Sequence, residues 1–536
     1  MMVLKIFSLL QFFTLFTITF ASTEQATALL KWKSTFKNQN KSLLASRKPS
    51  SDACNDWYGV SCVNGRMNTL NITNASVIGT LYAFPFSSLP FLEYLDFSMN
   101  NLSGTIPPEI GNLTNLVYLD LNNNQILGTI PSQIGSLVRL QILHIFDNYL
   151  NGSILEEIGY LRSLTELDLS INSLNGSIRA SLGNLNNLYL LYLYENQLSG
   201  SIPEEIGQLR SLTELALYSN SLNGSIPASL GNLYNLSLLY LYNNHLSGSI
   251  PEEIGYLRKL QFLFLGNNNL IEEIPSSISN LTSLTVLHLS RNNLKGNILQ
   301  CLGNISGLQY VMMSQNNICG ELPSSICYLT SLQILDLGRN NLIGAIPQCF
   351  GNMRRHLEVL DMQHNNLSST LPTTFTIGSV LGSFNLHGNK LEEKIPRSLE
   401  NCQLLEVLDL GDNHLNDTFP TWLGTLPELR VLRLRLNKLH GPIRTLGSGN
   451  MYLELRILDV SSNAFTVNLT TSLFQHLHAM RKIDQSKKAP SDHERYGYYQ
   501  NSIAVVTKGM ELEVVRILFL YTTIDLSNNK FEGHIP

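Results

Sequence analysis

From about residue 90 the apolar positions recur in one long motif, L-x-x-L-x-L-x-x-N-x-L-x-G-x-I-P-x-x-I/L-G-x-L. The asparagine marks the period. Asn100, Asn124, Asn148, Asn172, Asn196, Asn220, Asn244, Asn268, Asn292, Asn316 and Asn340 are each 24 residues after the last. Asn365, Asn389, Asn413, Asn437, Asn463 and Asn529 continue the series less strictly, and Leu70 to Leu81 is a degenerate first copy with Ala75 in the asparagine slot, giving 18 turns. The L-x-L segment puts two leucines on one face of a short strand and the intervening residue on the other. Stacked turns then pair these strands into a parallel sheet over a shared leucine interior. The ladder asparagines follow the strand where the chain bends inward, and their amides are placed to serve backbone groups that would otherwise be buried without partners. None of them begins a glycosylation sequon. Gly and Pro then break the strand and begin the return. The pattern predicts an α/β repeat solenoid: a superhelix with a parallel concave β-sheet and an N-terminal helical cap.

The array has grown by copying. Residues 177–200 match residues 225–248 at 19 of 24 positions, and the differences spare the leucine framework.

The two ends follow other patterns. Lys5, the apolar run Ile6 to Phe20, and Ala21-Ser22 form a secretory signal over residues 1–21. The run is shorter than the roughly 20 residues a membrane span needs. The segment Ile503 to Ile524 is interrupted by Lys508, Glu511, Glu513 and Arg516. Export makes cysteine pairing available. It also gives meaning to fourteen Asn-x-Ser/Thr sequons: Asn40, Asn71, Asn74, Asn101, Asn112, Asn151, Asn175, Asn223, Asn235, Asn280, Asn304, Asn366, Asn416 and Asn468. Residues 22–65 read as a cap. Ser22-Thr23-Glu24-Gln25 has the form of a capping box, the helix after it carries Leu29, Leu30, Trp32 and Phe36, and Cys54 and Cys62 are expected to form a disulfide. The repeats occupy residues 66–470. A polar insertion holding Lys482, Lys487, Lys488, Asp492, Glu494 and Arg495 falls within 471–520, and residues 521–536 begin a further repeat. Five cysteines lie inside the array, an odd number, so at least one is unpaired within the chain. Cys402 is the expected buried thiol, and Cys327 can reach either Cys301 or Cys349.

Net charge is −5, with 14% charged residues and no basic stripe, which excludes a nucleic-acid partner. The chain has no Gly-rich phosphate loop, no H-E-x-x-H and no G-x-S-x-G, so no catalytic constellation and no cofactor is expected. His364, His387 and His414 lack the spacing of a metal site.

Function is then sought in the residues between the strand leucines. The default is Asp in that row and a small residue two positions on. Tyr192, Tyr194, Tyr218, Tyr240, Tyr242 and Phe264 depart from it on four successive turns, a patch roughly 15–20 Å long at ordinary strand spacing. These are read as exposed ligand-binding aromatics, the alternative being a tyrosine copied by duplication. Arg433 and Arg435, beside Asp409 and Asp459, form a second departure, either a ligand contact or a solvated ion-pair face.

The segment Cys54-Asn-Asp-Trp57-Tyr-Gly59-Val60-Ser-Cys62 resembles the plant leucine-rich-repeat N-terminal domain, except that Arg47 follows Ser46 where that family usually has Trp. The repeats with Ile-Pro-Glu-Glu-Ile-Gly-Tyr-Leu-Arg, the insertion and the block Val505-Val-Thr-Lys508-Gly509 closely resemble plant receptor-like proteins of the Cf class, the tomato leaf-mould resistance family. The resemblance covers the whole chain. It implies an immune receptor ectodomain at the extracellular face of the plasma membrane. Such an ectodomain would bind a pathogen protein or peptide and act through a receptor-like kinase adaptor and a co-receptor. Such receptors continue with more repeats, a cysteine cap, a membrane span and a short tail, whereas this chain stops at Pro536 in mid-repeat. It is therefore expected to be a truncated, secreted form. The competing expectation is a secreted inhibitor of a microbial wall-degrading enzyme, similar to polygalacturonase-inhibiting proteins, which have about ten repeats and no insertion.

Overall fold

A computed structural model describes residues 23–38, 43–297, 299–353, 355–444, 451–466, 469, 471–481, 502–507, 510–515 and 521–532. The signal segment, Asn40, Asn468 and the charged stretch Lys482 to Arg495 lie outside the described residues. The chain divides into two units, Met1–Asn269 and Leu270–Pro536.

In the first unit each L-x-L becomes a three-residue strand. Tyr94–Asp96, Tyr118–Asp120, Ile142–His144, Glu166–Asp168, Leu190–Tyr192, Glu214–Ala216, Leu238–Tyr240 and Phe262–Phe264 pair in parallel, residue for residue. The leucine at the centre of every one is fully buried. After each strand the residue preceding the ladder asparagine takes a left-handed conformation, with φ between +51° and +56° from Met99 to Asn267. The asparagine then binds the bend on both sides. Asn196 Nδ2 donates to the carbonyls of Leu169, Leu193 and Tyr194, and its Oδ1 accepts the N–H of Leu174 on the preceding turn. The same four bonds recur at Asn124, Asn148, Asn172, Asn220, Asn244 and Asn268.

The segment after the asparagine is not a simple return. Residues Asn101–Gly104, Gln125–Gly128, Tyr149–Ser153, Ser173–Ser177, Gln197–Gly200, Ser221–Ser225 and His245–Gly248 form a second parallel sheet. The glycine of L-x-G sits at φ of +73° to +81° in these strands, a backbone that other residues adopt only at a cost. A single 3-10 turn such as Pro108–Asn112 closes each repeat, with Ile110 or its equivalent pointing inward.

The cap seals the first turn. A helix over residues 23–33 buries Leu29 and Trp32. Trp32 stacks on Phe97 at 5.2 Å and donates its indole N–H to the Thr80 carbonyl. Ser22 of the expected capping box lies outside the described residues, and Gln25 Oε1 accepts the N–H of Met67 in the strand Arg66–Asn71, tying cap to array. Cys54 and Cys62 are bonded, with Cα atoms 5.5 Å apart. Arg47 stands where the resembled cap usually has Trp. It is buried, its guanidinium lies 5.6 Å from the Trp57 ring, and it donates to the Tyr58 carbonyl. Burial lowers its pKa to about 10.

The second unit repeats the scheme from Val286–His288 to Ile457–Asp459. Thr523–Asp525 then pairs in register with Ile457–Asp459, so the insertion is looped out of the ladder. Within it, Ser502–Thr507 and Met510–Val515 form an antiparallel hairpin. Cys327 is bonded to Cys349, Cα to Cα 5.8 Å. The slot eleven residues after a ladder asparagine lies against the slot nine after the next one. A Cβ placed on Gly111 would come within 2.8 Å of the Gln133 Cβ, and one on Gly303 within 2.8 Å of the Ser325 Cβ. Cys327 and Cys349 occupy such a pair of slots, whereas the slot facing Cys301 across the preceding turn holds Ser279. Cys301, Cys319 and Cys402 are unbonded, Cys402 being buried.

Candidate recognition surface

The tyrosines come together on the strand face of the first unit. Parallel register aligns Tyr192 with Ala216, Ala216 with Tyr240, and Tyr240 with Phe264. Two positions on, Tyr194, Tyr218 and Tyr242 form a continuous stack, with centroids 4.4 and 4.5 Å apart and planes within 8°. Tyr240 meets Phe264 edge-on at 4.6 Å. Ala216 supplies the gap between Tyr192 and Tyr240. The five tyrosines are half-buried, each packed on its neighbours with its outer edge in solvent.

Phe264 corrects the expectation of exposure. At 4% accessible it is the floor of the patch, covered by Tyr240 and Tyr242. Sequence spacing assigns the side of the strand, but the size of adjacent side chains decides burial.

The hydroxyls are held as donors. Tyr192 donates to Glu214 and Tyr189 to Glu166. Burial, together with the neighbouring tyrosines and Glu195, pushes the Tyr218 pKa well above its usual value. Burial and Glu214 do the same to Tyr192, and the bond to Glu166 pushes Tyr189 up to about 12. The surface thus offers ring edges and neutral hydroxyls beside carboxylates.

It also extends further than the two rows suggested. Tyr94 and Tyr118, in the position before the strand leucine, stack at 4.1 Å and donate to Asp96 and Asp120. His144 follows, with Nε2 3.0 Å from Glu166 and Nδ1 3.6 Å from Asp120. Burial opposes its protonation, but the bond to and charge of Asp120, with Glu166, outweigh that and raise its pKa. The alternating tyrosines at 94 and 118, one period apart, were the available signal.

The arginine face of the second unit is different. Arg433 is 2% exposed, so it is neither a solvated ion pair nor a ligand contact. It lies between Asp409 and Asp459, while Arg435, half-buried, approaches Asp459 at 3.9 Å. Burial would raise the Asp409 pKa, but Arg433 and then His387 hold it down at about 2. His364 and His387 rings are 5.0 Å apart, and among the described residues no group of three or more His, Cys, Asp or Glu is placed to hold a metal. Among the same residues no helix is long and apolar enough to cross a membrane.

Asn112, Asn280 and Asn304 are exposed at or just after the turn that closes a repeat. Asn101, Asn151, Asn175 and Asn223 lie in the second sheet, and Asn366 in a separate five-stranded parallel sheet of the second unit. Asn74, Asn235 and Asn416 are exposed, and Asn71 alone shares the strand-face row, aligned with Asp96 and half-buried.

Comparison with known proteins agrees with this geometry. The family described as leucine rich repeat N-terminal domain matches residues 22–63, leucine-rich repeat region matches 69–199, and leucine rich repeat matches five segments between 211 and 353. Receptor-like protein Cf-9 homolog of Solanum lycopersicum is 46% identical over 167 residues, 31% of this chain and 20% of that protein. Receptor-like protein Cf-9 of Solanum pimpinellifolium is 44% identical over 166 residues, 31% and 19% of the two chains. The match thus spans about a fifth of the length of these relatives. Among solved structures, the plant peptide hormone receptor RGFR1 in complex with RGF2 is 34% identical, TM-score 0.69, covering 76% of this chain and 69% of that one. The Arabidopsis receptor kinase HAESA in complex with the peptide hormone IDA and the co-receptor SERK1 is 27% identical, TM-score 0.60, covering 84% and 92%. With its cap, its asparagine ladder and these relatives, the chain belongs to the plant leucine-rich-repeat receptors, and over about a third of its length it is similar to receptor-like proteins of the Cf class.

Proposed function

We propose that the tyrosine face of the first unit recognises a pathogen-derived protein or peptide at the extracellular face of the plasma membrane, and that the response passes through a partner receptor-like kinase and a co-receptor. The observation that carries this reading is the stack Tyr194–Tyr218–Tyr242 beside Tyr192 and Tyr240. A rigid, amphipathic aromatic surface loses little side-chain entropy on binding, and tyrosine is enriched in binding hot spots. Two solved relatives hold peptides, one of them together with a co-receptor. The second sheet, which carries four of the sequons, is the face left for carbohydrate.

A glycan wedge tests the reading. Tyr240→Asn with Tyr242→Thr creates an Asn-Leu-Thr acceptor inside the patch. Tyr234→Thr creates one at Asn232, in the exposed slot that Asn112 occupies. With the chain joined to the anchoring part of a Cf-class receptor in plant cells, the first wedge should abolish the response to pathogen secretions and the second should leave it intact. Equal responses from both would reject the strand face as the site.

A further inference from the structure

The charges around the tyrosines specify what kind of ligand they take. The strand segments 94–99, 118–123, 142–147, 166–171, 190–195, 214–219, 238–243 and 262–267 contain seven carboxylates and no lysine or arginine. The nine corresponding segments of the second unit contain Arg291, Arg339, Arg433 and Arg435, and Arg433 is sealed between two aspartates. In the first unit the carboxylates turn to other partners: Glu214 accepts from Tyr192, Glu166 from Tyr189, and Asp168 from Ser170. Glu195 is exposed, and its charge acts on the hydroxyls of both Tyr194 and Tyr218.

The tyrosine stack is one-sided at its first member. Tyr218 has a ring against each face, whereas Tyr194 is stacked only on the side of Tyr218. On the other side the preceding turn presents Ser170, a small side chain that donates to Asp168. A cation entering there meets the negative face of an aromatic ring and the Glu195 carboxylate together.

We propose that the ligand docks through a basic peptide segment, with a Lys or Arg side chain against the outer face of Tyr194 and its charge toward Glu195. This rests on the recognition reading above and adds the chemical class. An anionic segment would set like charges against seven carboxylates, and an apolar one would strip water from them without replacing it.

The test is selection from a random peptide library displayed on phage, with the full chain as bait. The selected peptides should be enriched in Lys and Arg over the library. Made synthetically, they should bind about tenfold more weakly to the Glu195→Lys variant and weaken as salt is raised. Glu195 is exposed, so an unchanged melting curve separates this effect from unfolding. Peptides that lose binding when Tyr192, Tyr194, Tyr240 and Tyr242 become alanine, yet carry no excess of basic residues, overturn the charge inference and leave the patch standing. Peptides that bind that alanine variant as well as the parent overturn both.

Discussion

At the scale of single residues, two positions carry a cost that can be removed. Ile171 is held at φ +52° before Asn172, a conformation that Asn and Asp tolerate and β-branched residues avoid. The equivalent slot holds Asn123, Asp147 and Asn243 in other turns. Ile171→Asp should therefore raise stability by about 1 kcal/mol, read as a higher midpoint in urea. An unchanged or lowered midpoint would mean that the isoleucine side chain contributes packing that outweighs the strain. Asp336 is the second position. Burial and the adjacent Asp361 push its pKa up to about 7, while Ser314 and the Gly338 N–H donate to it. The folded chain therefore holds a proton that the unfolded chain releases above about pH 4. Between those values the unfolded state binds fewer protons, so this group's contribution to stability is present at low pH and falls as pH rises to about 7. Asp336→Asn keeps an acceptor oxygen and removes the titration. Its stability relative to the parent should grow steadily from pH 4 to 7 in paired thermal melts. A constant difference would show that Asp336 does not titrate in that window.

At the scale of the element, the repeat was legible because its signals act locally. Each ladder asparagine meets the same backbone groups in its own bend and the preceding turn, so a 24-residue period and one polar residue per turn foretold the bonds around Asn196. The second sheet was not legible. Its strands, such as Asn101–Gly104, alternate over only four residues, and the glycine that ends them reads equally well as a turn. Burial on the strand face was also hidden. Arg433 is enclosed because Asp409 and Asp459 flank it on adjacent strands, and Phe264 because two tyrosines lean over it, facts that depend on neighbours one turn away. The cysteines show the same limit. Spacing left Cys327 two candidate partners, and the offset between adjacent turns selects Cys349. Alkylation of the unfolded, unreduced chain should accordingly label Cys301, Cys319 and Cys402 and spare the other four. Label on Cys349 would refute the pairing.

At the scale of the whole molecule, the scaffold leucines and the proposed recognition residues are separated by side of the strand. Leucines facing inward are fully buried at nearly every turn, so the outward residues can vary without opening a cavity. Duplication then supplies raw material: Tyr192 and Tyr194 recur as Tyr240 and Tyr242, and Tyr218 in the intervening turn completes the stack. A copied ornament would not require that third ring, nor an alanine at 216 to leave room beside it. The most direct measurement is equilibrium binding of a library-selected peptide to the parent chain and to the variant with Tyr192, Tyr194, Tyr240 and Tyr242 replaced by alanine, each with a thermal melt. The tyrosines are half-buried and cover Phe264, so each truncation should lower stability by about 0.5–1.5 kcal/mol of lost ring packing, whereas loss of a hot spot costs about 2 kcal/mol or more of binding. The account predicts a lowered melting temperature that leaves the variant folded under assay conditions, and binding at least about thirtyfold weaker. Undiminished binding by the folded variant would contradict it.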